Sequence, residues 1–351
     1  MYDDLGQGTA VIKEVTAKQL VVSITLVGAL LGSLAGGQLG DKLGRKPTIA
    51  LSDACFLVGT ALMAFALDIP MLVLGRLIAG IGVGITAMVV PVYLAEVTPS
   101  SLRGLIVTSN GFCINAGQLA SLLVCLALQD YWRWMLGSSA FFAAAQLLGL
   151  LLCPESPRWL FKVGREEEGL KVLRKLYQSD SKADIESLVE EIRTEVRLDP
   201  KVSYFSLLAE LFSTSRKAVI VGAGLQAMQQ LVGINTAMYY GPTIMKSAGF
   251  NGSGREALLA SLPIFCAGFL GTIVAVTVVE RLGRRWVLLR TIPLIVLGLM
   301  GLALGFVLVK LFDYEKAGGW VCLISVIAYV FSFGLGMGPI PWTVNSEIYK
   351  V

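Results

Sequence analysis

The segment QAMQQLVGINTAMYYGP, residues 226–242, places four amide side chains inside a long apolar run. The run extends over residues 218–245 and is long enough to cross a bilayer, since about 20 apolar residues span the hydrocarbon layer. Amides at that depth are unfavourable unless they face a partner, water or a ligand. Gly233, Gly241 and Pro242 can interrupt a helix here. The segment therefore predicts a mid-membrane binding site for a small polar solute; the alternative is that the amides join two helices.

The composition is that of a membrane protein with many spans. Of the 351 residues, 55% are hydrophobic and 15% are charged, against roughly 25% charged in soluble domains. The net charge of +4 is small and does not indicate nucleic-acid binding. The chain has no histidine, and its six cysteines all fall in apolar runs without a CxxC pair. We therefore expect no metal, no cofactor and no enzymatic chemistry.

Nine apolar spans can be recognised, and the basic residues between them predict an orientation. The spans cover residues 18–39, 48–67, 71–93, 104–128, 133–152, 217–245, 256–279, 286–311 and 320–344. Lysine and arginine follow the first, third and seventh spans and are frequent in residues 158–217, so these loops are predicted to be cytoplasmic. Asn251 then begins a possible N-glycosylation sequon in an outside loop.

The long cytoplasmic stretch after the fifth span carries apolar residues at helical spacing, with charged residues between them. These residues are Leu170, Leu173, Leu176, Ile185, Leu188, Val189, Ile192 and Val196. The spacing predicts amphipathic helices lying under the transmembrane bundle. The alternative is a charged linker without fixed structure.

The chain contains an internal repeat. GDKLGRK at 40–46 is echoed by VERLGRR at 279–285, and each follows an apolar span. Two spans further on, PVYLAE at 91–96 and WTVNSE at 342–347 each end in a glutamate. Such self-similarity indicates two related halves.

The repeat also predicts the domain organisation. An N-terminal half covers residues 1–153, a cytoplasmic linker covers 154–216, and a C-terminal half covers 217–351. Counted against the repeat, one span is absent at the start and two are absent at the end. We therefore expect a truncated form of a twelve-span protein, unable to transport by itself because polar groups would face lipid.

Eight motifs in order resemble the sugar porter family of the major facilitator superfamily. They are GQLGDKLGRK (37–46), GRLIAGIGVGI (75–85), PVYLAEVTPSSLRG (91–104), PESPRWL (154–160), QQLVGIN (229–235), YYGP (239–242), VERLGRR (279–285) and GPIPW (338–342). The resemblance implies an all-α membrane fold of two six-helix halves, here with about nine transmembrane helices and cytoplasmic linker helices. It also implies transport by alternating access, most commonly as a monomer in the plasma membrane.

Two details are similar to the proton-coupled myo-inositol carriers within that family. Gly111 stands where hexose carriers of the family place a sugar-binding glutamine, and the sequence PWTVNSEIY at 341–349 also matches the inositol carriers. One departure is the short outside loop at 313–319, where those carriers often have a long cysteine-rich loop. The resemblance thus implies proton–myo-inositol symport. The alternatives are a facilitative hexose carrier, a transporter-like sugar receptor or an inactive truncated product.

The predicted site combines amides and aromatic rings, which suits a polyol. An amide donates and accepts hydrogen bonds and can hold two hydroxyls, while an aromatic ring packs against the C–H face. The candidate substrate-binding residues are Gln118, Gln229, Gln230, Asn235, Tyr239, Tyr240, Trp342 and Asn110. For the two tyrosines, packing or an interfacial position is the alternative.

Charged residues at cytoplasmic span ends are candidates for gating, because opposite charges that meet in only one state can latch that state. The resemblance implies such an inner gate, and the alternative is solvated charge. The candidates for proton coupling and gating are Arg76, Arg45, Glu96, Arg103, Glu280, Arg284 and Glu347. Arg76 lies inside a span, where it needs an acidic partner or reaches the surface by snorkelling. Asp53 is expected to reach the cytoplasmic surface.

Overall fold

The computed structural model describes residues 11–177, 182–198, 215–249, 254–312 and 314–348, which form helices and short connections with no strand among them. The first nine helices are α1 (Val11–Leu43), α2 (Arg45–Ala64), α3 (Ile69–Val97), α4 (Ser100–Ala127), α5 (Trp132–Gly137), α6 (Ser139–Leu152), α7 (Pro157–Lys162), α8 (Glu166–Leu176) and α9 (Lys182–Leu198). The others are α10 (Arg216–Leu231), α11 (Ile234–Ser247), α12 (Gly254–Leu282), α13 (Arg284–Leu311), α14 (Glu315–Leu335) and α15 (Ile340–Ile348). The predicted all-α fold class is confirmed.

The chain forms two compact units. The first comprises Met1–Ile106 and Leu128–Pro200, and the second comprises Val107–Ala127 and Lys201–Val351. Most of α4 therefore groups with the later helices. The domain boundaries predicted from the repeat at 153 and 216 stay a prediction.

Eight helical segments of the described chain are long and apolar enough to cross a membrane. They are Gln19–Leu43, Arg45–Ala64, Ile69–Val97, Ser109–Ala127, Trp132–Leu152, Arg255–Leu282, Arg284–Leu311 and Glu315–Asn345. They correspond to eight of the nine predicted spans. The remaining one, the sixth, is divided into α10 and α11, with 16 and 14 residues, and each piece is shorter than the roughly 20 residues of a complete span.

Gly233 divides the sixth span. Its φ of 84° and ψ of 21° lie in the left-handed region, which glycine adopts without the steric cost that a Cβ atom would add. The helix that ends at Leu231 is therefore interrupted and restarts at Ile234. The discontinuous helix predicted from the sequence is confirmed, and a second interruption follows α14, where Gly336 precedes the restart of α15.

Glycines allow the helices of the first unit to pack closely. A Cβ atom at Gly84 would overlap the carbonyl oxygen of Ala29 on α1, and one at Gly82 would lie 3.0 Å from the carbonyl oxygen of Ser52 on α2. Small residues let helix backbones approach closely inside a membrane. The glycine-rich stretch of α3 thus packs against both neighbouring helices.

The amphipathic linker helices predicted from the sequence are confirmed as α8 and α9. Their apolar faces meet in a small core that contains Phe161, Leu173 and Ile192. On the polar side, Arg193 Nη2 donates to Glu166 Oε2 at 2.8 Å, and this hydrogen bond raises the pKa of Arg193. The unstructured alternative is wrong for this part of the linker; residues 199–214 lie outside the described residues.

The second unit has its core around α14. Helices α13 and α12 both pack against it, and α11 contributes further buried side chains. The core residues are Ile234, Ala237, Met245, Ile264, Ile295, Leu323, Val326, Tyr329, Val330 and Met337. The two interrupted segments therefore border one core.

Asp53 does not reach the cytoplasmic surface, and that expectation is wrong. Its exposed fraction is 0%, and neither carboxylate oxygen has a hydrogen-bond partner within the described residues. On the same α2 face, Thr60 bonds Ser139, and Lys46 Nζ donates to the carbonyl of Cys153. Asp53 lies midway between these two contacts with α6, because seven residues make about two helical turns. Asp53 therefore belongs to the face of α2 that carries these two contacts.

Candidate functional site

Two exposed amides meet across the helix break at Gly233. Asn235 Nδ2, on α11, donates to Gln230 Oε1, on α10, at 2.7 Å. Both side chains belong to exposed residues. The break turns α11 so that an asparagine five positions away reaches the glutamine, which a continuous helix would not favour. The structure thus brings together two predicted substrate-binding residues.

Gln229 occupies a different environment from its neighbour. It is only 4% exposed, and its Nε2 atom donates to the carbonyl oxygens of Met337 and Gly338, both at 2.8 Å. An amide nitrogen carries two N–H groups, so both are used by the backbone between α14 and α15. Its Oε1 accepts a long contact of 3.5 Å from Gln230. Gln229 therefore connects the exposed amide pair to the second interruption, and its own substrate contact stays a prediction.

The predicted aromatic residues border the same part of the unit. Tyr239 lies one turn after Asn235 on α11 and is 54% exposed. Tyr240 is half-buried. Trp342 lies on α15, just after the backbone that Gln229 binds, and is 50% exposed. Rings exposed next to polar groups can pack against the apolar face of a sugar or polyol.

Helix α4 carries two further candidates, Asn110 and Gln118, both half-buried. Among the described residues, no hydrogen bond joins either of them to the amides of α10 and α11. Gly111 lies in open space, since a Cβ built there would meet no atom within 4 Å. All eight predicted substrate-binding residues belong to the second unit.

Asn115 is a polar contact that the sequence-based list of candidates lacks. Its Nδ2 atom donates to Thr272 Oγ1 of α12 and to the carbonyl of Gly111, each at 3.0 Å. The rings of Phe112 and Phe269 lie 5.0 Å apart beside it. The sequence could have indicated this contact, because Asn115 lies within an apolar span and an amide at that depth usually has a hydrogen-bond partner.

A charge cluster lies at the start of α2, in the first unit. Arg45 Nε and Nη2 donate to the two carboxylate oxygens of Glu96, each at 2.9 Å. Glu155 accepts from the backbone N–H groups of Arg45, Lys46 and Ser156 at 2.7–3.2 Å. A carboxylate at a helix N-terminus satisfies free donors and interacts favourably with the helix dipole. Arg45 and Glu96 thus form a pair within one unit.

The other predicted gating residues lie on several different helices. Arg76 and Arg284 are half-buried, on α3 and at the start of α13, and Glu280 is exposed near the end of α12. The side chains of Arg103 and Glu347 lie outside the described residues, as does Asn251. Their predicted roles stay predictions. Glu155 was missed, although its position just before α7 in PESPRWL was visible in the sequence.

Known proteins are similar to this chain in sequence and in fold. The family model for "Sugar (and other) transporter" matches residues 7–351. The "Probable inositol transporter 2" of Arabidopsis thaliana is 32% identical, with 95% of this chain and 72% of that protein covered. The human "Proton myo-inositol cotransporter" is 34% identical, with 95% of this chain and 65% of that protein covered.

A solved structure agrees with these sequence relatives. The E. coli proton:xylose symporter XylE, a major facilitator superfamily protein bound to 6-bromo-6-deoxy-D-glucose, superposes with a TM-score of 0.79 at 27% identity. The superposition covers 97% of this chain and 74% of that one. Because the family model matches almost the whole chain and the helices superpose on this fold, the chain belongs to the sugar transporter family of the major facilitator superfamily, a family of multi-pass membrane transporters.

Proposed function

We propose that this protein carries myo-inositol, or a polyol with a similar ring of hydroxyl groups, across the plasma membrane together with protons. The observation that carries the proposal is the amide pair Gln230–Asn235, exposed on the two sides of the break at Gly233. The substrate and the coupling ion are supported by the names of two relatives, an inositol transporter and a proton myo-inositol cotransporter.

The chemistry of the amide pair suits a polyol. A hydroxyl donates one hydrogen bond and accepts others, and an amide offers both functions on one planar group. Gln230 and Asn235 already bond to each other at 2.7 Å, so a substrate hydroxyl can replace or bridge that bond without leaving either group unsatisfied. Tyr239, one turn further along α11, then supplies an apolar wall.

Gly111 supports a cyclic polyol over a hexose. The family resemblance places a sugar-binding glutamine at this position in hexose carriers. Here the position is open, with no atom within 4 Å of a built Cβ. A ring with a hydroxyl on every carbon needs room around its whole edge, and the glycine supplies that room.

Proton coupling is proposed to depend on a carboxylate controlled by Arg76. The chain contains no histidine, so the side chains that ordinarily bind and release a proton near neutral pH are carboxylates with a shifted pKa. Arg76 is half-buried within the membrane span of α3. An arginine close to a carboxylate favours its charged form and so controls when the proton is bound.

Uptake measurements on the protein, expressed from its complete reading frame, test the proposal. Labelled myo-inositol should enter, a large excess of glucose should compete weakly, and uptake should rise as the outside pH falls and collapse with a protonophore. Arg76→Leu should alter the pH dependence more than the affinity, while Arg76→Lys, which keeps the charge, should alter it less. Uptake of glucose without myo-inositol would favour a facilitative hexose carrier, and uptake independent of pH would exclude proton coupling.

A further inference from the structure

The two interrupted helices of the second unit each leave a backbone carbonyl without its usual donor. In an α-helix the carbonyl of residue i accepts from the N–H of residue i+4. For Met337 that residue is Pro341, and proline has no N–H. For Val232, which follows α10, the helical ladder stops at Gly233. An unpaired carbonyl at membrane depth is unfavourable, so both need a donor from elsewhere.

Each missing donor is supplied by the other interrupted helix. Gln229, two residues before the end of α10, donates to the carbonyls of Met337 and Gly338 at 2.8 Å. In the opposite direction, the Tyr329 hydroxyl on α14 donates to the carbonyl of Val232 at 3.1 Å. Both donors are nearly inaccessible, with exposed fractions of 4% for Gln229 and 2% for Tyr329.

This reciprocity distinguishes the contact from ordinary packing. A single hydrogen bond between two helices could be lost with only a local effect. Here each interrupted helix carries the donor for the free carbonyl of the other one. Separating the two breaks would therefore leave an unsatisfied carbonyl in both. The second break also packs closely against α13, since a Cβ at Gly336 would overlap the Thr291 side chain.

We propose that Gln229 and Tyr329 are positioning residues that couple the two helix breaks, so that α11 and α15 change orientation together. The functional part rests on the proposed transport of a polyol, because α11 carries Asn235 and α15 carries Trp342. Coupled breaks would let a substrate that rearranges the Gln230–Asn235 pair move α15 through Gln229. The polar connection is continuous: Asn235 donates to Gln230, Gln230 to Gln229, and Gln229 to the second break.

Hydrogen–deuterium exchange of the purified protein in lipid nanodiscs tests the coupling directly. Tyr329→Phe removes only the bond to the first break. Gln229→Met removes the two bonds to the second break and the long contact from Gln230, so Tyr329→Phe is the sharper of the two variants. Each variant should raise exchange in peptides covering both breaks, residues 228–240 and 334–345. The expected increase is about 3- to 10-fold, the factor that one lost hydrogen bond produces in a local opening equilibrium.

Two matched variants serve as controls. Gln226→Met makes the same change one turn earlier on α10, and Tyr314→Phe removes the hydroxyl of a tyrosine that is 62% exposed; neither should alter exchange at either break. If exchange rises only at the break whose own bond was removed, the breaks are independent and the proposal is wrong. Should Gln229→Met fail to fold, Tyr329→Phe still decides the matter, because it differs by one oxygen atom and must affect the distant 334–345 peptide.

Binding of myo-inositol to the same wild-type sample separates this inference from the proposed function. One outcome is that a variant raises exchange at the break whose own bond is intact, but myo-inositol does not bind. The coupling then stands and the substrate assignment is wrong. If myo-inositol binds but exchange rises only at the break whose own bond was removed, the substrate assignment stands and the coupling is wrong. When both hold, Tyr329→Phe should also weaken myo-inositol binding by about 3- to 10-fold, although Tyr329 is not among the predicted substrate contacts.

Discussion

Two sets of contacts among the described residues, one set in each unit, stabilise helix ends with different chemistry. In the first unit the contacts are ionic: Arg45 forms two hydrogen bonds with Glu96, and Glu155 accepts from backbone N–H groups at the start of α2. In the second unit they are neutral: the Gln229 amide and the Tyr329 hydroxyl donate to the carbonyls of interrupted helices. The described contacts at α2 therefore involve charges, whereas those at the two helix breaks involve uncharged groups.

The difference follows from the position of each contact along its membrane span. The ionic cluster lies where α1 ends and α2 begins, so water can solvate its outer side and the cost of desolvation is limited. The neutral contacts lie inside long apolar segments, where a charge would be expensive but an amide or phenol can be satisfied by a carbonyl. Neutral bonds can also change partners at low cost, which suits a region proposed to bind and release a polyol.

The largest effect is expected from removing one partner of the ionic pair. Arg45→Ala would leave Glu96 without its bidentate partner while both side chains are only 12–13% exposed. Breaking such a pair leaves an uncompensated charge, so the free energy of unfolding should fall by about 3 kcal/mol. Thermal unfolding in detergent, with and without chemical denaturant, measures this change.

Lys42→Ala is the matched control for Arg45→Ala. Lys42 is an exposed cation in the last turn of α1, and its removal should change stability by less than about 0.5 kcal/mol. Equal effects of the two substitutions would show that net basic charge, rather than the Arg45–Glu96 pair, stabilises this end. The contrast between ionic and neutral contacts would then fail.

The next effect concerns the neutral amides of the second unit. Gln230→Ala and Asn235→Ala should each weaken myo-inositol binding by about 5- to 150-fold, which corresponds to about 1–3 kcal/mol for lost hydrogen bonds to substrate. Surface expression should remain normal, because both side chains belong to exposed residues. Gln226→Ala, one turn earlier on α10, should matter less. Loss of expression with unchanged affinity in the remaining protein would show that the amides only join helices.

A smaller effect is expected at Gly111, where the structure leaves space. Gly111→Gln should fold normally, since no atom lies within 4 Å of a built Cβ, and should shift the preference from myo-inositol towards glucose by about 5-fold. Competition between labelled myo-inositol and labelled glucose measures the ratio of their uptake. Gly117→Gln, at another open position on α4, is the control. An equal shift in that variant would show that Gly111 does not determine substrate preference.

Much of the fold could be predicted from the sequence, because span positions and helix breaks depend on the residues immediately around them. Span positions follow from apolar runs, and the break at Gly233 follows from a glycine beside amides in such a run. The linker helices follow from the spacing of Leu173, Val189 and Ile192. These features depend on neighbouring residues, so the sequence alone contains the information.

The site was less predictable because its contacts join distant parts of the chain. Gln229 and Gln230 are adjacent and chemically identical in sequence, yet one is 4% exposed and bonded to residues 108 and 109 positions away, while the other faces outwards. Which glutamine is buried depends on how α10 packs beside α15. For the same reason Asp53 was expected at the surface, although it is fully buried.

The smallest effect on stability is expected from replacing Asp53, a buried acid without a described partner, in contrast to the paired Arg45. Asp53 is 0% exposed and has no hydrogen-bond partner among the described residues. Its removal deletes no hydrogen bond within the described part of the chain and relieves the cost of a buried polar group, so Asp53→Leu should change the free energy of unfolding by less than about 1 kcal/mol, in the stabilising direction.

Ser52→Ala is the control for Asp53→Leu, because Ser52 is also 0% exposed but accepts a hydrogen bond from Thr86 at 2.9 Å and donates to the carbonyl of Ile49. Its loss should destabilise the protein by about 1 kcal/mol. Thermal unfolding of both variants under identical conditions gives the comparison. If Asp53→Leu destabilises more than Ser52→Ala, the carboxylate must gain favourable interactions in the folded protein, for example with bound water. A buried acid at mid-span would then contribute to stability, as the paired charges at the helix ends do, and the predicted contrast with Arg45 would be wrong.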